Sequence, residues 1–213
     1  MRWVVGLALA VGSLGLPQPL CAQPLPAERA SGPDGSPLWT SNPILADSLA
    51  RVARGSDLWR QALASLVRSD RRAIILTPDQ VVVSDQPDGQ DSRPFDPGVI
   101  AEVSPVVGEG ARVDTVLVVV NLPLLQQLHD RAGSLPAELE SDLDRILVHE
   151  LYGHAFPYLL AGDLSGRCAD PGPRERAADA CAIRRENAVR AELGLGRRVD
   201  HGVEGLALAR RHY

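Results

Sequence analysis

The sequence predicts an α+β domain, a small sheet packed on helices. Two patterns point there. Apolar residues recur at helical spacing toward both ends of the chain, and the middle holds β-branched runs separated by Pro, Gly and Asp turns.

The elements follow in order. Asn42-Pro43 reads as an N-cap with proline at the first helical position, and Ile44, Leu45, Leu49 and Val52 continue at helical spacing. A second helix is expected over Asp57 to Arg68, where Leu58, Ala62, Leu66 and Trp59, Leu63, Val67 form adjacent i, i+4 rows. Ala73 to Leu76, Gln80 to Ser84, Val99 to Val103 and Val113 to Val120 read as strands. Leu122 to Arg131 is a short helix. After Gly133-Ser134 comes a long one whose first turns hold Glu138, Glu140, Asp142 and Asp144, acids suited to the positive end of the macrodipole. Leu139, Leu143, Leu147 and Leu151 form one row along it, so it packs on the core. A Gly- and Pro-rich loop, Gly162 to Pro173, leads to a final long helix from about Arg174 to Leu193, stopped by Gly194. No internal repeat is present.

Composition narrows the function classes. The 213 residues are 45% hydrophobic and 23% charged, which excludes collagen, coiled coil and wholesale disorder. The net charge is −5, every basic side chain is arginine, and no basic block exists. No electrostatic footprint for nucleic acid or an anionic membrane surface follows.

Residues 1–22 read as a signal peptide: Arg2 gives a positive start, Val4 to Leu16 are apolar apart from Gly and Ser, and Ala22 supplies a small residue for cleavage. The apolar run of about 13 residues is shorter than the roughly 20 that a spanning helix needs, so no stable membrane insertion is expected after cleavage. Residues 23–42 read as a Pro/Gly/Ser-rich leader or linker, and residues 43–213 as the folded domain. The expected location is secreted or periplasmic, in a bacterium. Cleavage removes Cys21 and leaves Cys168 and Cys181, which are expected to pair in an oxidising compartment. Such a bridge closes a short loop and is worth on the order of 3 kcal/mol.

The chemistry concentrates in His149-Glu150-Leu151-Tyr152-Gly153-His154. Two imidazoles with a carboxylate directly after the first is the arrangement of zinc hydrolases, in which both rings bind the metal and the Glu activates a water. The usual spacing between the two His is one residue shorter. On a regular helix residues i and i+4 lie about 40° apart, but i and i+5 lie about 140° apart, too far for both rings to meet one ion. A bulge absorbing one residue restores the geometry, and Gly153, costly by about 1 kcal/mol in mid-helix, is placed to permit it. The bland alternative is a pair of unrelated histidines on a core helix.

A third ligand is expected from the final helix. Glu175 and Asp179 share a face at i, i+4, and small Ala178 and Ala182 allow the two helices to approach. Glu175 is the expected ligand, with Asp179 accepting a hydrogen bond from a liganding imidazole.

The first motif resembles the His-Glu-x-x-Gly-His motif of the dipeptidyl-peptidase III family of zinc peptidases. Arg174-Glu175-Arg176-Ala177-Ala178-Asp179 is similar to that family's downstream Glu-Glu-x-x-Ala-Glu/Asp motif, with Arg174 in place of the first acid. Glu186-Asn187-Ala188-Val189-Arg190 resembles the Glu-Asn-x-x-Arg helix that follows the metal helix in small bacterial zincin-like peptidases. The resemblance implies a zincin-like fold with a metal-binding helix and a following long C-terminal helix. It makes Glu186 an alternative third ligand to Glu175. It also implies an edge strand that binds extended peptide by strand addition, with Val113 to Val120 as the best candidate.

The expectation is an exported zinc metallopeptidase: Zn²⁺ on His149, His154 and Glu175, with Glu150 as general base for hydrolysis of a peptide or protein substrate. Tyr152, His201, Arg190 and the terminal Arg211-His212-Tyr213 are candidates for stabilising the oxyanion. Two alternatives stay open, a secreted non-catalytic binding or scaffold protein of the same fold, and an amidase acting on cell-wall peptide cross-links.

Overall fold

A computed structural model describes residues 37–81, 95, 98–166 and 177–199. Their architecture is α+β. Strands β1 (Leu38–Trp39), β2 (Arg72–Leu76), β3 (Ala101–Val107) and β4 (Val113–Val120) form one mixed sheet in the order β1-β2-β4-β3. The first two neighbouring pairs are parallel, and β3 is antiparallel to β4.

Parallel neighbours need a crossover, and helices α1 (Pro43–Gly55) and α2 (Asp57–Val67) supply it between β1 and β2. Helix α1 begins where its capping residue predicts, with the Asn42 side chain accepting from the backbone N–H of Ile44 and Leu45. Ser56 closes α1 and opens α2, its hydroxyl accepting from Trp59 N–H at 3.1 Å.

Four strand expectations change. Leu38–Trp39, within the stretch read as a leader, pairs with β2, Leu38 opposite Ala73. Gln80 was expected to open a strand, but Pro78–Gln80 forms a 3-10 turn in which the Gln80 side chain accepts from Thr77 N–H at 2.9 Å. Val81 lies outside any strand, and residues 82–84 are outside the described residues. Strand β3 runs on past Val103 and includes Pro105, which an edge position tolerates because the missing N–H costs no ladder bond there. Finally, Val113–Val120 is not an edge: β4 lies between β2 and β3. Its consecutive buried residues Val118, Val119 and Val120 need cover on both faces, which suits an interior strand.

Helix α3 (Leu122–Ala132) ends at Gly133 in the left-handed conformation, φ +62°. Helix α4 (Pro136–Leu147), a π-helical segment (Val148–Ala155) and α5 (Phe156–Ala161) then follow one another without interruption. Leu143, Leu147 and Leu151 are buried as the i, i+4 row predicts, in a core shared with Trp59, Phe156 and the β4 valines. Helix α6 (Ala177–Glu192) packs on the π segment. No helix among the described residues is long and apolar enough to cross a membrane.

Candidate metal centre

The extra residue between the two histidines is absorbed by the backbone. Val148–Ala155 is π-helical, and the N–H of Phe156 bonds the C=O of Leu151, five residues back. This brings together rings that an α-helix would splay. The Nε2 atoms of His149 and His154 lie 3.3 Å apart, with ring centroids 4.8 Å apart and planes at 87°. A tetrahedral ion held at about 2.0–2.1 Å by two ring nitrogens requires them about 3.3–3.4 Å apart. The observed separation meets that requirement. Glu150 completes the group: His149, Glu150 and His154 each present a ligand atom, all within 4.8 Å of one another.

His149 is anchored from behind. Its Nδ1 lies 2.5 Å from Oε2 of Glu186, a wholly buried carboxylate on α6. An ionised carboxylate only accepts, so Nδ1 carries a proton, and in the neutral ring it is Nε2 that keeps the lone pair. Arg190 Nη1 donates to the other Glu186 oxygen at 2.7 Å, and Arg198 Nη1 approaches Oε2 at 3.4 Å. Burial raises the Glu186 carboxyl, but the bond and charge of His149, with Arg198 and Arg190, outweigh it and hold the group below its ordinary range. Glu186, one of the two candidate third ligands, thus spends both oxygens on His149 and two arginines. It does for His149 what Asp179 was expected to do.

Glu150 differs in environment from Glu186. Burial raises its carboxyl, while the charges of His149 and Arg198 act the other way and those of Glu186 and Glu102 add to the rise.

Close approach of α6 depends on Gly153. A Cβ there would stand 3.0 Å from Ala182 Cβ and 3.2 Å from Ala182 O, and Ala182 is wholly buried. The glycine serves the helix contact, and Ala182 is small for the same reason.

Other expected residues fall as follows. Glu175, His201, Cys168 and Arg211-His212-Tyr213 lie outside the described residues, and Asp179 lies on α6 where only the backbone is described. Cys181 is disulfide-bonded, with its partner outside the described residues. The Tyr152 ring stacks on Trp59 at 6.4 Å and 20° and meets Phe156 edge-on at 6.0 Å, which commits it to the aromatic core. Arg190 is buried and occupied by Glu186 and by the C=O of Gly196 at 2.7 Å. The sequence carries no local signal for Arg198, which contacts Glu186, or for Glu102, whose charge acts on Glu150. Each lies on a segment whose approach to the site depends on the fold.

No protein-family model, no curated protein and no solved structure matches the chain.

Proposed function

We propose that the protein is an exported zinc-dependent metallopeptidase. The single observation that carries this reading is the 3.3 Å separation of the His149 and His154 Nε2 atoms on a π-helical turn, with Glu150 beside them. His149 and His154 would hold the ion, and Glu175 remains the proposed third ligand. When bound, zinc would polarise a substrate carbonyl and lower the pKa of a water toward about 7.

The chain's own residues supply the rest. Glu150 accepts the proton of the attacking water and delivers it to the departing amine, a role its position beside the ring nitrogens allows. Glu186 fixes the His149 ring and tautomer so that Nε2 keeps its lone pair. Strand β3 is one edge of the sheet, antiparallel to β4, and packs against the π segment. That edge is where an extended peptide would add as a further strand. Export is supported by the disulfide at Cys181, since such bonds persist in oxidising compartments.

The test compares the parent with Glu150→Gln on an unfolded protein substrate, with zinc content read in parallel. Glu150→Gln is expected to keep its zinc and lose hydrolysis by at least about 100-fold, the contribution typical of a general base. Equal hydrolysis by both proteins would overturn the assignment of Glu150.

A further inference from the structure

Beyond α6 the chain turns at Gly194, φ +67°, and runs back along the helix. Two residues of α6, Arg190 and Asn187, hold the returning strap, 195–199. Leu195 N–H donates to Arg190 C=O at 2.8 Å, and Arg190 Nε donates to Gly196 C=O at 2.7 Å. The Asn187 amide then closes a two-point clamp on Arg198, accepting its N–H and donating to its C=O, each at 2.8 Å. These anchor points climb α6 from 190 to 187, toward the metal centre. At the top of the climb the Arg198 guanidinium meets Glu186 Oε2, the oxygen that touches His149.

The Glu-Asn-x-x-Arg stretch thus divides its work. Glu186 holds the imidazole, Asn187 holds the strap, and Arg190 braces both Glu186 and the strap at Gly196. Arg190 alone leaves the carboxylate an alternative. A guanidinium can take both oxygens of one carboxylate, and rotation into that arrangement would withdraw Oε2 from Nδ1. A second cation on the Oε2 side opposes that rotation. Its entropic cost is small, because the Asn187 clamp already fixes the Arg198 backbone and the guanidinium is a rigid fork.

We propose that Arg198 is a positioning residue for the metal centre: delivered by the Asn187 clamp, it pins Glu186 Oε2 against His149 Nδ1 and so fixes the ring that is to bind the ion. The proposal rests on the metal reading above and deepens it. Loss of the partner directly behind a liganding histidine typically weakens metal binding by about 10–100-fold; Arg198 acts through that partner, so a loss at the lower end, about tenfold, is expected.

Zinc affinity of the full chain, measured by chelator competition, tests this for the parent, Arg198→Met, Arg198→Lys and Asn187→Ala. The visible spectrum of the cobalt-loaded proteins reports the geometry of the centre, and melting of the metal-free proteins reports folding. Arg198→Met and Asn187→Ala are expected to lose about tenfold in zinc affinity, the lower end for support of a liganding histidine, and to alter the cobalt spectrum. Arg198→Lys should recover most of both, since it restores the cation. Parent-like zinc affinity in Arg198→Met would overturn the proposal, and so would an Arg198→Lys no better than Arg198→Met, which marks a merely structural side chain. A parent that takes up no zinc would overturn the metal reading itself, which the first arm reads separately from the variants.

Discussion

Gly153 and Ala182 meet so closely that one added methyl group on the glycine would stand 3.0 Å from the Ala182 Cβ and 3.2 Å from its carbonyl oxygen. Two effects compete in Gly153→Ala. Alanine gains about 1 kcal/mol in helix propensity, whereas overpacking a buried contact typically costs about 1–3 kcal/mol. The obstacle includes α6 backbone, which cannot rotate aside as a flexible side chain would, so overpacking should win. Gly153→Ala is expected to lower the melting temperature and to weaken zinc binding, because α6 carries Glu186. Adding Ala182→Gly should recover part of both. A single variant as stable and as zinc-avid as the parent would show that the contact has slack.

Glu186 separates orientation from charge. In Glu186→Ala the nearly inaccessible Arg190 loses its ion-pair partner, and breaking a buried pair in this way costs about 3–5 kcal/mol. Glu186→Gln keeps the shape and one acceptor oxygen but removes the charge that fixes the His149 tautomer. Denaturant unfolding should therefore show a large loss for Ala and a smaller one for Gln. Zinc affinity should fall by about 10–100-fold already in Gln. Full zinc affinity in Glu186→Gln would remove Glu186 from the support of His149.

The π segment behaves as an α-helix with one inserted residue, so removing that residue should be tolerated at the centre. Deleting Tyr152 leaves His149 and His154 four positions apart, which places them about 40° apart on a regular helix. The deletion variant is expected to retain zinc within about tenfold of Tyr152→Ala, the control for the lost stacking on Trp59. Loss of zinc in the deletion alone would mean that the π geometry is itself required.

Local signals carried most of the helices. Asn42-Pro43 caps α1 and Gly133 ends α3 through short-range bonds, which a sequence shows directly. Whether Val113–Val120 is an edge or an interior strand depends on which distant segments pair with it, and that is not a local property. The two-residue strand Leu38–Trp39 is too short to carry an alternation pattern. At the candidate site the His-Glu-x-x-Gly-His spacing implied a bulge, and the backbone contains one. The same spacing did not reveal that Tyr152 would turn to Trp59. Glu186 was legible as a relevant acid, but its side of the imidazole depends on where α6 docks against Gly153.

The most direct test of a shared ion is zinc stoichiometry of the purified protein beside His149→Ala and His154→Ala, measured by metal analysis after extensive dialysis. The expected result is about one zinc per parent chain and near-complete loss in both variants, since two ring nitrogens are needed to retain the ion. A parent without zinc, or variants that keep it at the parent's level, would contradict a centre built on the Nε2 pair.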